Sequence, residues 1–199
     1  MLYADVRLVG RWTIAVFAAL LLLASTAWAQ NDPLPSWNEG PAKKAIIDFV
    51  NAVTQESGSQ FVSREQRIAV FDNDGTLWSE QPAYFQAAFM FDRIRTMAKD
   101  HPEWKQKQPY KAVLEGNIAS IAADQKSLAQ LIAATHSGMS VDEFAAIVSD
   151  WVKTAHHPRF KRPYIELVFQ PMLELLTYLR ASGFKTFIVS GGGVEFMRP

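Results

Sequence analysis

The sequence predicts an α/β fold: a parallel-sheet core interrupted by an all-helical block. Three observations predict it. A short apolar run, Ile68 to Phe71, ends in Asp72-Asn73-Asp74-Gly75-Thr76. A second β-rich run, Lys185 to Val189, ends in Ser190-Gly191-Gly192-Gly193. Between Trp78 and Ala155 the apolar residues recur at helical spacing and no stretch reads as a strand. Short apolar runs bounded by turn residues are the pattern of strands buried in a parallel sheet. Sheets of that kind carry their chemistry just beyond the carboxyl ends of the strands.

The elements follow in order. Arg7 and Arg11 precede the apolar run Trp12 to Leu23, and Ala24-Ser-Thr-Ala-Trp-Ala29 follows it. A basic region, a short apolar region and Ala27-x-Ala29 make a secretory signal peptide over 1–29, cleaved between Ala29 and Gln30. The expected location is the periplasm or the exterior, with an uncleaved membrane anchor as the alternative. Asn31 to Gly40, with Pro33 and Pro35, reads as an extended arm. Pro41 opens a helix whose apolar face holds Ala45, Ile46, Phe49, Val50 and Val53. Residues 30–78 thus form the arm, one helix and the first strand.

Residues 79–162 form the helical insertion. Phe85 and Phe89 mark its first helix, Tyr110 to Ile121 a second, and Leu128, Leu131 and Ile132 a third. Ser140-Val-Asp-Glu143 is a capping box that opens a fourth. His156-His-Pro-Arg-Phe-Lys-Arg-Pro163 is a basic return segment, read as a solvated hinge; the alternatives are that His156 and His157 line the cleft or bind metal, and that Arg159, Lys161 and Arg162 attract an anionic substrate. Residues 163–199 return to the core. Pro171 opens a helix carrying Leu175 and Leu179, and Gly183 ends it.

Composition excludes several classes. There are 20 basic and 20 acidic residues, so no net field favours nucleic acid or a membrane surface. Signal removal leaves the balance within one charge of neutral, with no stable membrane association expected. There are no cysteines, which removes thiol catalysis and disulfides.

Two strand ends with these residue types point to phosphoryl transfer. A carboxylate can attack phosphorus and form an acyl-phosphate. Its charge must first be masked by a hard cation such as Mg²⁺ with oxygen ligands. A second carboxyl two residues on can protonate the leaving alcohol and then activate water. The Ser190 hydroxyl and the N–H groups of Gly191 and Gly192 can hold phosphoryl oxygens. The expected partner is a small phosphorylated substrate. Glu80 and Gln81 are within reach of it along the chain, whereas Trp78, Trp104 and Trp151 read as packing.

Asp72-Asn-Asp-Gly-Thr-Leu77 resembles the first signature of the haloacid dehalogenase superfamily, and Ile188-Val-Ser190-Gly resembles the second. The helical block resembles the cap that many members insert between them. The resemblance runs from about Gln66 to the end of the chain and looks most like the exported phosphoserine-phosphatase-like branch. It implies a Rossmann-like core, Asp72 as nucleophile and Mg²⁺ ligand, and Asp74 as general acid/base with its main-chain carbonyl on the metal. Thr76 would support the loop and Ser190 would bind phosphate. The second aspartate favours a phosphatase over a dehalogenase.

Two features depart from the family pattern. The family's lysine and its further acidic pair normally follow the second motif, and the sequence ends nine residues after Ser190. The chain therefore reads as the front part of a longer hydrolase, inactive by itself. Glu80 stands one residue closer to the first motif than the substrate-recognising glutamate of phosphoserine phosphatases. Two other functions remain open at this point: a non-catalytic binding module, and phosphotransfer to an alcohol through the same residues.

Overall fold

The computed structural model describes residues 32–118, 121 and 124–199. The expected signal peptide lies outside them. In chain order the elements are α1 (Pro41–Thr54), β1 (Ile68–Phe71), α2 (Phe85–Met97), α3 (Tyr110–Leu114), α4 (Gln125–His136), α5 (Val141–Thr154), α6 (Gln170–Ala181), β2 (Lys185–Ile188) and α7 (Val194–Met197).

β1 and β2 pair in parallel, from Ile68 opposite Lys185 to Phe71 opposite Ile188. The register is pinned beyond both strands. Lys185 N–H donates to the Arg67 carbonyl at 2.9 Å, and Val189 N–H to the Phe71 carbonyl at 2.8 Å. Buried Arg67 is itself tied to the Val62 and Ser182 carbonyls at 2.9 and 3.0 Å.

α1 and α6 cover one face of this pair. Leu34, Val50, Val53, Leu175, Leu179 and Phe184 form the core there, with Ala69 and Phe71 packed onto it. The opposite face is open among the described residues, so Val70 is 58% and Phe187 50% exposed. The expectation of strands buried on both sides is corrected here. Strand side chains alternate between faces, and helices cover only one of them. Phe49, expected inward, is also mostly exposed and meets the Phe184 ring at 6.4 Å.

The arm before α1 is docked. Leu34 is fully buried, the Trp37 indole donates to the Pro171 carbonyl at 2.9 Å, and Ser36 bonds Glu174. Buried Lys43 clamps Asp32 and Glu39, each at 2.6 Å.

The helical block has two cores. Met90, Phe91, Ile94, Trp104, Val113 and Leu131 form the outer one. Phe85, Phe89, Phe144, Val148, Tyr164, Leu167 and Phe196 form the inner one. Phe196 comes from α7, which follows β2, so the inner core joins the block to the carboxyl end of the sheet. The capping box that opens α5 is present, with the Ser140 hydroxyl accepting from Glu143 N–H and the Glu143 carboxylate accepting from Ser140 N–H. The Asp124 carboxylate accepts from Lys126 N–H and opens α4 in the same way.

The chain leaves and re-enters the core through a narrow neck. Trp78 bridges Val168 in antiparallel fashion. Ser79 N–H donates to the Leu167 carbonyl at 3.1 Å, and Phe169 N–H to the Leu77 carbonyl at 2.9 Å. His157 adds a staple. Its imidazole is 1% exposed; Nε2–H donates to the Gln81 carbonyl at 2.5 Å, and Nδ1 accepts from the Arg159 and Phe160 N–H groups at 3.2 Å. A solvated hinge describes exposed His156 but not His157, whose three bonds replace what water would supply. No helix of the described residues is long and apolar enough to cross a membrane.

Candidate active site

The parallel register decides where the chemistry-bearing residues fall. Phe71 ends β1 and Ile188 ends β2, and the two are paired. Asp72 therefore leaves one strand where Val189 and Ser190 leave the other. The bond from Val189 N–H to the Phe71 carbonyl carries the pairing one residue further.

The loop after β1 closes on itself. The Asn73 carbonyl accepts from Thr76 N–H at 3.1 Å and Leu77 N–H at 2.8 Å, and Gly75 N–H donates to the Trp78 carbonyl at 2.8 Å. Asn73 and Leu77 point inward and are buried. Asp72 projects into solvent, and no described residue donates a hydrogen bond to its carboxylate. Half-buried Asp74 differs, because the Trp78 indole N–H donates to its Oδ1 at 2.7 Å. The same indole packs on Phe85, with ring centroids 4.8 Å apart. The packing reading of Trp78 is thus incomplete: an apolar body sits in the core while the polar edge holds a carboxylate. Only the i to i+4 offset hinted at this in the sequence.

Gly75 sits at φ +75°, a left-handed conformation that glycine adopts at least cost. A side chain there would also meet Glu80, whose carboxyl carbon lies 2.8 Å from the position a Cβ would take. Glu80 therefore lies directly over the aspartate loop. Gln81 instead contributes its carbonyl to His157.

In the loop after β2, the Ser190 hydroxyl oxygen accepts from Gly192 N–H at 3.1 Å. This Ser turn leaves the hydroxyl proton free to donate outward. Gly192 N–H is turned inward, while no described residue accepts from Gly191 N–H. The close approach belongs to Gly193: a Cβ there would stand 2.7 Å from Gln86 Nε2, whereas Gly191 has open space. Gly193 N–H donates to Gln86 Oε1 at 2.8 Å, which anchors the loop to the first turn of α2. Sequence reasoning singled out neither Gly193 nor Gln86. Thr76 stays half-buried in its turn.

A family model described as haloacid dehalogenase-like hydrolase matches residues 69–199, from the second residue of β1 through both loops. The chain belongs to this family. No curated protein matches it significantly. The haloacid dehalogenase-like match gives the adjacent strand ends a common context and identifies the chain as a hydrolase of the superfamily, with a mixed helix and strand architecture around a parallel pair.

Superfamily members generally use Mg²⁺, and the donor chemistry here can be compared with that cation. Asp72 and Asp74 offer hard carboxylate oxygens on one loop, and among the described residues the Asp72 carboxylate has no hydrogen-bond donor to displace. Magnesium commonly takes one or two carboxylates and completes its shell with water and phosphate oxygens. The two aspartates fit that partial role. No cluster of three or more acidic or histidine ligands occurs among the described residues, so they do not form an all-protein cage.

Proposed function

We propose that this haloacid dehalogenase-like hydrolase is an exported phosphatase that cleaves a small phosphomonoester through an aspartyl-phosphate on Asp72. The observation that carries the reading is the junction of the two strand ends, where a carboxylate with no hydrogen-bond donor among the described residues leaves β1 beside the serine turn that follows β2.

In this reading Asp72 attacks phosphorus, and the bond to the substrate oxygen breaks. Asp74 protonates that oxygen as it leaves, then takes a proton from the water that cleaves the acyl-phosphate. Ser190 donates its hydroxyl hydrogen to a phosphoryl oxygen, and Gly191 N–H is available for a second. Trp78 keeps Asp74 aimed along one direction. Asp72 and the Asp74 main-chain carbonyl would hold Mg²⁺, which masks the charge that carboxylate and phosphate would otherwise concentrate in one place. Closure of the helical block over the two loops would limit water around the reacting atoms.

Within the family we favour a phosphoserine-phosphatase-like substrate class. The support is the carboxylate of Glu80 lying over Gly75, one residue from Asp74, where it can meet a cationic group on a substrate.

The full-length gene product is expected to hydrolyse an aryl phosphate with Mg²⁺ and to lose the activity in Asp72→Asn. Undiminished turnover in that variant sinks the assignment of Asp72 as nucleophile.

A further inference from the structure

One backbone N–H fixes the polarity of a chain of hydrogen bonds that ends in a histidine. Gly193 N–H can only donate, so the Gln86 atom 2.8 Å away is the carbonyl oxygen. The Gln86 amide nitrogen therefore faces His136 Nε2, at 3.2 Å. An amide NH₂ can only donate, so Nε2 must be the bare, accepting nitrogen. The proton of the neutral ring then sits on Nδ1, which lies 2.7 Å from the Thr135 hydroxyl. That hydroxyl passes its own proton on to the Leu131 carbonyl at 2.7 Å. The Thr135 hydroxyl also lies 3.4 Å from the Ile132 carbonyl; on the Gln86 side the order of donors and acceptors is satisfied by a neutral imidazole alone.

We propose that Gln86 and His136 are positioning residues, forming a latch that holds the Ser190–Gly193 loop against the helical block only while His136 is neutral. A proton on Nε2 places an N–H against the Gln86 NH₂. Rotating the Gln86 amide to relieve that contact places the NH₂ against Gly193 N–H instead. Both arrangements leave a donor facing a donor, so protonation releases the loop.

The surroundings favour the closed state at neutral pH. Burial holds the His136 pKa below its ordinary value, opposed by the Ile132 backbone and reinforced by the Arg93 guanidinium of α2. From α5 and its N-cap come uncharged Phe144 and Ser140, the latter occupied by Glu143 in the capping box. From α7 comes Glu195, which is engaged by Arg198 at 2.9 Å. Gln86 and His136 line a cavity of about 280 Å³ with Gly193 and Phe196, which gives protons a route to the ring.

The effect on phosphate affinity rests on the phosphatase reading; the latch itself does not. The test is an NMR titration of the isotope-labelled full chain from pH 8 to pH 5. In the wild type, the Gly193 amide shift is expected to follow the His136 ring with the same midpoint. In Gln86→Leu the ring still titrates and Gly193 no longer follows. In Gln86→Glu the sign reverses, because a carboxylate accepts from Gly193 N–H and from the imidazolium together. Inorganic phosphate with Mg²⁺ is expected to bind the wild type about two- to tenfold more tightly than Gln86→Leu at pH 7.5, the size of one net hydrogen bond, with the difference shrinking as the His136 ring takes up its proton. A Gly193 amide indifferent to His136, or one that still follows it in Gln86→Leu, overturns the latch. Phosphate that shifts no amide at any pH, while Gly193 follows His136, overturns the phosphatase reading and supports the latch.

Discussion

The Trp78 indole nitrogen lies 2.7 Å from Oδ1 of Asp74, four residues earlier in the chain. The turn on the Asn73 carbonyl brings the two together, and the Phe85 ring beneath the indole fixes its plane. The carboxylate is thus held by a group that cannot accept a proton. Among the described residues, no donor reaches its second oxygen.

Trp78→Phe keeps the ring and removes the donor. A hydrogen bond to a charged group contributes about 1.5–3 kcal/mol. If that energy orients Asp74 for proton transfer, kcat is expected to fall about 10- to 100-fold with KM nearly unchanged. A matched rise in KM at constant kcat argues instead that the indole acts on substrate binding.

Gly75→Ala meets two separate obstacles. The backbone at φ +75° costs a side chain about 1–2 kcal/mol, and the new methyl would collide with Glu80. Adding Glu80→Ala is expected to relieve the collision and leave the backbone cost. Urea midpoints of the single and double variants separate the two, and full recovery in the double variant would show that the backbone is not strained.

Phe89 is fully buried against Trp151, Phe196 and Phe144 at centroid distances of 5.5, 5.4 and 5.8 Å. Phe89→Ala is expected to destabilise the fold by about 3–5 kcal/mol. The loss should exceed that of an exposed aromatic such as Phe160→Ala, measured by denaturant unfolding.

The lowered pKa of His136 links stability to pH. The unfolded chain binds a proton near the ordinary value of 6.5, while the folded chain binds it only at lower pH. Between those values the unfolded state holds more protons, so stability rises with pH. The contribution is complete above about pH 6.5 and disappears as pH falls through the folded value. Compared with His136→Asn, which does not titrate, the wild type is expected to lose urea resistance on going from pH 7.5 to pH 5. Parallel curves for the two proteins would contradict it.

What the sequence made legible was mostly local. Ser140 and Glu143 announce a helix start because the cap is made within four residues. Gly183 announces a helix end because its φ of +84° is a local demand. The two loops are legible because polar residues and glycines interrupt apolar runs. The burial of His157 was not legible, since its partners include Gln81, 76 positions earlier in the chain. The same holds for Gln86, whose acceptor role depends on a loop more than a hundred positions later. The exposed strand face was misread because alternation is hard to detect over four residues. Contacts between remote segments leave no periodic trace in the residues that make them.

The neck has a topological meaning. Ser79 and Leu167 are one hydrogen bond apart, so everything between them is a loop whose two ends coincide in space. The chain thus enters and leaves the segment at one place, and the host strands need not stretch to accommodate it. Its length can change without altering the separation of Phe71 and Ile188. A deletion that joins residue 78 to residue 168 through a short turn therefore has the geometry of a hairpin, with Trp78 and Val168 already paired across it.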